Sequence, residues 1–170
     1  MISARRVAQL AKKWQRMAAL GRKRLTVRAK QDQECCSSMA GKGHCAMYTA
    51  DGSRFEAVAL LSNSDASALY RCGIRVYQDT LYAKSNRQFY RDCRISGTVD
   101  FIFGDATTVF QHCDVVARLP LRGQQNTITA QSLATAASAT GFSFQDCNIY
   151  ADDDLLRGAP AGGVETYLGR

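Results

Sequence analysis

An aromatic residue, a cysteine and a β-branched residue recur together four times along the chain. Tyr70-Arg71-Cys72-Gly73-Ile74 is followed by Tyr90-Arg91-Asp92-Cys93-Arg94-Ile95, Phe110-Gln111-His112-Cys113-Asp114-Val115 and Phe144-Gln145-Asp146-Cys147-Asn148-Ile149. The cysteines step by 21, 20 and 34 residues. A unit this short cannot bury its own apolar face and must stack on copies of itself. Short strands divided by turn residues, with no long helical pattern between them, predict an all-β right-handed parallel β-helix with one coil per repeat. The longer third step is expected to hold a loop around Pro120 to Asn126. Cys72, Cys93 and Cys113 are expected to form a ladder of buried thiols, and a disulfide between two of them would require secretion.

That period gives meaning to two acids set among β-formers. Asp100 lies in Ile95–Gly104 (ISGTVDFIFG) and Asp79 in Tyr77–Tyr82 (YQDTLY), 21 positions earlier and so one coil away. Equivalent positions on adjacent parallel coils are about 4.8 Å apart. Like charges that close resist joint ionisation, so one apparent pKa is expected to rise. The pair would then present one carboxylate as nucleophile and one carboxylic acid as proton donor. The competing reading is two solvated acids, or a single acid capping a turn.

The net charge of +7 divides unevenly. Residues 1–30 hold ten Lys/Arg and no acid; the other 140 hold 12 Lys/Arg and 15 Asp/Glu. Val7, Leu10, Trp14, Met17 and Leu20 recur at helical spacing within the basic stretch, predicting a basic amphipathic helix over residues 1–30. Such a helix suits a calmodulin-type groove or an anionic membrane surface, resembles a transit peptide, or lies solvated against its own domain. No nucleic-acid partner is expected. Residues 31–56 read as a linker and a hairpin, with His44–Tyr48 and Arg54–Leu60 flanking an Asp51-Gly52 turn. Residues 57–170 form the repeat domain. The N-terminal residues lack the uninterrupted apolar core of a secretory signal, and no apolar run is long enough to span a membrane. The cysteines show no paired CxxC spacing, which argues against zinc. His112 reads as a turn or surface residue and His44 has no evident partner, while Arg118 and Arg122 read as a loop that meets an anionic polymer or stays solvated.

From about Ala57 to Arg170 the chain resembles plant pectin methylesterases. The resemblance rests on ISGTVDFIFG, on YQDTLY, on Ser85–Tyr90 (SNRQFY), on Gln125–Gln131 (QNTITAQ), and on Tyr167–Arg170, which is similar to the start of an LGRPW motif. It implies the same right-handed β-helix, and a carboxylic ester hydrolase acting on methylated homogalacturonan in the cell wall. Asp100 would attack the methyl-ester carbonyl, and Asp79 would protonate departing methanol. Gln78 would hold the oxyanion, and Arg170 would orient Asp100 and keep it ionised. Phe103 and Tyr82 would line the sugar cleft. No metal or organic cofactor is implied.

Three departures from the family pattern bear on activity. The family's QAVAL is Glu56-Ala57-Val58-Ala59-Leu60 here, so a glutamate stands where the second oxyanion donor is expected. The sequence ends at Arg170, without the Trp and Pro of LGRPW. Early and late coils of the family are not matched, so a partial β-helix with weakened or lost activity is expected. Met1–Val27 and Gly41–Glu56 instead resemble the small auxin-up RNA proteins, intracellular or membrane-associated proteins linked to auxin response. The two resemblances meet at Glu56, which suggests a fusion or a joined gene model, and the cellular location is open between cell wall and cell interior. A peptide of residues 1–25 is expected to bind calcium-loaded calmodulin or anionic vesicles if the helix is a docking element. Titration that detects neither assigns it to a solvated surface.

Overall fold

The computed structural model describes residues 38–40, 45–47, 58–132, 135 and 138–170. The expected helix over residues 1–30, most of the linker, the Asp51-Gly52 turn and Glu56 lie outside the described residues. Strands β1 (Ser38–Ala40) and β2 (Cys45–Met47) precede a first coil of β3 (Leu60–Ser62), β4 (Ser67–Tyr70) and β5 (Gly73–Arg75). The second coil is β6 (Leu81–Ala83), β7 (Arg87–Arg91) and β8 (Arg94–Gly97). The third is β9 (Ile102–Gly104), β10 (Thr107–Gln111) and β11 (Asp114–Ala117), and the fourth β12 (Asn126–Gln131), β13 (Gly141–Gln145) and β14 (Asn148–Ala151). A short helix α1 (Asp153–Gly158) and β15 (Thr166–Gly169) follow.

Each coil gives one strand to each of three sheets, ordered β1-β4-β7-β10-β13, β14-β11-β8-β5 and β15-β12-β9-β6-β3-β2. Pairing between coils is parallel throughout, as the repeat predicts. The fold is a parallel β-helix. Among the described residues, only β1 on β4 and β2 on β3 run antiparallel. The first strand of the expected hairpin is present as β2, but its partner is Leu60–Ser62, displaced toward the C-terminus from Arg54–Leu60. The displacement has a physical cause: β3 also pairs with β6, and burial of Leu60 and Ser62 fixes its register there.

The coils turn sharply because one residue per corner adopts a left-handed backbone. Arg71, Asp92, His112 and Asp146 have φ of 52°, 52°, 52° and 49°. Each immediately precedes a cysteine of the repeat, so the four form one stacked edge. Asp and Asn tolerate this region best, and Arg and His hold it at a conformational cost. His112 is exposed at this corner.

The 34-residue step is not absorbed by one loop. The register partners Gly97 and Ala117 differ by 20, Ile102 and Thr129 by 27, and Thr107 and Gly141 by 34. Seven additional residues therefore enter on each side of β12, the first group around Arg118–Gln125 and the second before Gly141. A parallel ladder forbids a partial slip, so an insertion must be looped out wholly before pairing resumes.

Inside, identical positions stack. Leu60, Leu81 and Ile102 form one row, and Ile74, Ile95 and Val115 another. Tyr90 and Phe110 stack with centroids 5.0 Å apart, and Phe110 and Phe144 at 4.7 Å. The cysteine ladder is present and extends to Cys147, with Cys72, Cys93 and Cys113 buried and Cys147 half-buried. The Cys147 thiol draws the Cys113 pKa down, but the Cys93 thiol and burial outweigh it and push it up to about 12. Cys147 is raised as well, first by its hydrogen bond with Cys113 and then by burial. In the reduced protein these thiols are therefore poor nucleophiles at neutral pH. Gln88 is 1% exposed and fully employed: Nε2 donates to the Ser62 and Ser85 carbonyls at 2.8 and 2.9 Å, and Oε1 accepts from the Tyr90 hydroxyl at 2.8 Å.

Phe110 supports both stacked rings and an edge-on contact with Phe142. Phe110→Ala is expected to destabilise the coils by about 3–5 kcal/mol in chemical denaturation, against less than about 1 kcal/mol for the exposed Leu156→Ala. Gly97 packs so closely that an added Cβ would meet Phe101 Cβ at 2.4 Å and the Tyr77 carbonyl at 2.6 Å. Gly97→Ala is expected to cost about 1–3 kcal/mol in the same measurement.

Candidate active site

The second type of corner, from the β5-β8-β11-β14 sheet to the β15-β12-β9-β6-β3 sheet, carries the two acids. Asp79 lies between β5 and β6, and Asp100 between β8 and β9. Both have a left-handed backbone, φ 57° and 48°. The Asp79 N–H donates to the Val99 carbonyl at 3.2 Å, and the Leu81 N–H to the Phe101 carbonyl at 2.8 Å. The 21-residue register thus runs unbroken through the corner and joins the ladder Leu81↔Ile102 and Tyr82↔Phe103. Asp79 and Asp100 occupy equivalent positions on neighbouring coils, whose backbones lie about 4.8 Å apart.

Asp100 is 8% exposed. Its Oδ2 is paired with Arg170 Nη2. Its buried Oδ1 accepts no hydrogen bond from a described residue. An orphaned buried carboxylate oxygen is costly and marks a position kept for something other than stability. Arg170 arrives from β15, two strands away across β12, and its backbone N–H is anchored on the Thr129 carbonyl at 3.2 Å. Gly169 permits this approach, since a Cβ there would meet Thr129 Oγ1 at 2.7 Å. The Arg170 side chain is 71% exposed and the Asp100 side chain 12%, so the cation faces solvent and the anion the protein.

Gln78 and Asp79 are half-buried beside each other at the corner. Tyr82 and Phe103 follow the two acids by three residues each. Their rings stack face to face, 4.5 Å between centroids and 8° between planes. Both are half-buried and alternate with buried neighbours, so they stand on the outer surface of their sheet. The structure brings together Asp79, Asp100, Gln78 and Arg170, with the Tyr82–Phe103 pair adjoining them.

One sequence expectation changes. Arg118 is 7% exposed and meets no solvent-borne polymer; only Arg122 of that pair is exposed. The supporting residues of the corner were not evident from sequence. Thr80 is wholly buried, its hydroxyl 3.1 Å from the Ser96 carbonyl and 3.3 Å from that of Tyr77. The Thr98 N–H donates to the Tyr77 carbonyl at 2.7 Å, and the Thr127 N–H to that of Thr98 at 3.1 Å. The glycines of ISGTVDFIFG carried the signal for this close packing. Gly104, at φ 119°, would place a Cβ 2.1 Å from the Ala83 carbonyl.

Comparison with known proteins agrees with this geometry. The pectinesterase family model matches residues 26–170. "Pectinesterase/pectinesterase inhibitor PPE8B" of Prunus persica is 57% identical over 122 residues, covering 72% of this chain and 23% of the relative. "Probable pectinesterase 56" of Arabidopsis thaliana is 54% identical over 126 residues, covering 74% and 43%. Among solved structures, pectin methylesterase from carrot superposes with a TM-score of 0.64 at 51% identity, over 67% of this chain and 35% of that one. The chain thus spans between about a quarter and two-fifths of the length of these relatives. With the family model covering most of its residues and the register of its two corner aspartates in place, the chain belongs to the pectinesterase family.

Proposed function

We propose that the corner formed by Asp79 and Asp100 hydrolyses methyl esters of galacturonate in pectin, releasing methanol and leaving pectate. The observation that carries this reading is Asp100: a buried carboxylate with one oxygen on an arginine, the other accepting no hydrogen bond from a described residue, and an aspartate in register on the next coil. Arg170, paired with Oδ2, fixes the orientation of Asp100. The unengaged Oδ1 attacks the ester carbonyl carbon, and Gln78 donates to the oxyanion that forms. As the tetrahedral intermediate collapses, Asp79 gives its proton to the departing methoxide. Asp79, now a carboxylate, takes a proton from water, which attacks the acyl carbonyl and returns Asp100 as a carboxylate. The stacked Tyr82–Phe103 surface offers an apolar platform for a sugar ring.

Family membership and an anionic cell-wall polymer as substrate favour action in the cell wall. Glu56 enters this reading as a handicap. At the position of a second oxyanion donor, an ionised glutamate repels the developing charge, and loss of one such donor costs on the order of 10²–10³ in rate.

Methanol release from methylated pectin tests the assignment. The parent chain is expected to release methanol slowly, Asp100→Asn to release none, and Glu56→Gln to exceed the parent by at least about tenfold. Asn retains the left-handed backbone that Asp100 needs, so the comparison isolates the carboxylate. Equal traces from the parent and Asp100→Asn would overturn the esterase reading.

A further inference from the structure

Arg118 is a charged side chain almost removed from solvent, 7% exposed, and the reaction just described does not use it. Its guanidinium carbon lies 3.9 Å from the centroid of the Tyr77 ring, in cation–π contact. Nη1 donates to the Val76 carbonyl at 2.7 Å. Nε lies 3.5 Å from Asp152 Oδ2, whose partner oxygen Oδ1 accepts the Leu155 N–H at 2.9 Å as the N-cap of α1. The main chain of the same residue is held too: its N–H donates to the Gly97 carbonyl at 2.8 Å, and its carbonyl accepts from Asn126 Nδ2 at 3.1 Å. Arg118 therefore ties together the corners of four consecutive coils. The side chain reaches 42 residues back to Val76, two coils away.

We propose that Arg118 is a positioning residue for the active site. It clamps Val76 and Tyr77, the two residues directly before Gln78 and Asp79, so that the oxyanion donor and the proton donor stay in register with Asp100. The inference rests on the esterase reading for its kinetic consequence, but the clamp itself is a structural statement. Burying a guanidinium has a large desolvation cost, which one carbonyl, one carboxylate and one ring face offset only while all three remain in place. Asp79 needs such support because its φ of 57° is a conformation that the free chain rarely holds. A planar guanidinium can face a ring, donate to a carbonyl and approach a carboxylate at once. A lysine supplies a single point charge and can satisfy them only in part.

Two measurements on the full chain test the clamp. Amide hydrogen exchange follows the Asp79 and Thr98 N–H groups at the active corner, with the Arg94 and Asp114 N–H groups at the opposite corner as internal reference. In Arg118→Met, exchange at Asp79 and Thr98 is expected to rise at least about tenfold while Arg94 and Asp114 keep the parent rate. Methanol release is expected to lose about 10–100-fold in kcat with KM within about twofold, and Arg118→Lys to fall between Met and the parent. If Arg118→Met does not fold, Arg118→Lys carries the same comparison with a smaller rise. Unchanged exchange at Asp79 and Thr98, or an equal rise at all four amides, overturns the proposal. A parent chain no more active than Asp100→Asn would sink the esterase reading alone, and the exchange contrast would then decide the clamp by itself.

Discussion

Everything in this protein depends on the in-register stacking of one coil on the next. The parallel ladders between coils repeat the same offset through strand and corner alike, so any residue type set at the coil period becomes a column in space. Leucine and isoleucine columns fill the interior, aromatic rings stack at 4.7–5.0 Å, and four cysteines line one edge. The aspartates at 79 and 100 are one more column, at a corner that faces outward. The ladder tolerates insertions only as whole loops, and the two seven-residue additions around β12 show this. Pairing resumes at Thr129 and again at Gly141 in full parallel register.

The active corner is held at a cost that the ladder alone does not cover. Both aspartates have left-handed backbones, and Asp100 keeps a buried carboxylate oxygen that accepts no hydrogen bond from a described residue. Such features persist only where the surroundings over-determine them. Here the surroundings are the Thr80 hydroxyl between two carbonyls, the missing side chain of Gly97, the Tyr77–Thr98–Thr127 backbone chain, and the buried Arg118. The division of labour is spatial. The groups proposed to meet substrate stand at the corner, and the groups proposed to fix them lie one or two coils away.

The two arginines at this corner illustrate how environment assigns a role to one residue type. Arg170 is largely exposed and reaches inward to the buried carboxylate of Asp100, the proposed nucleophile. Arg118 is buried on all sides, its charge divided among a ring face, a carbonyl and a helix-capping aspartate. Exposure separates a group that can assist chemistry from one that can only hold shape.

The repeat of aromatic, cysteine and β-branched residues was enough to predict stacked parallel coils, because a period near 20 residues has few other ways to bury its apolar face. The 21-residue step between Asp79 and Asp100 likewise places them on adjacent coils, since a fixed period converts sequence distance into spatial distance. Local sequence could not show that the additional residues of the fourth coil divide equally around β12. That division depends on where pairing with β9 and β10 resumes. Nor could it show that β2 pairs with Leu60–Ser62, because β3 takes its register from β6. Arg118 is the clearest case. As one arginine in a polar loop it reads as a surface charge, and only the tertiary structure, by stacking Tyr77 beneath it and Asp152 beside it, turns it inward.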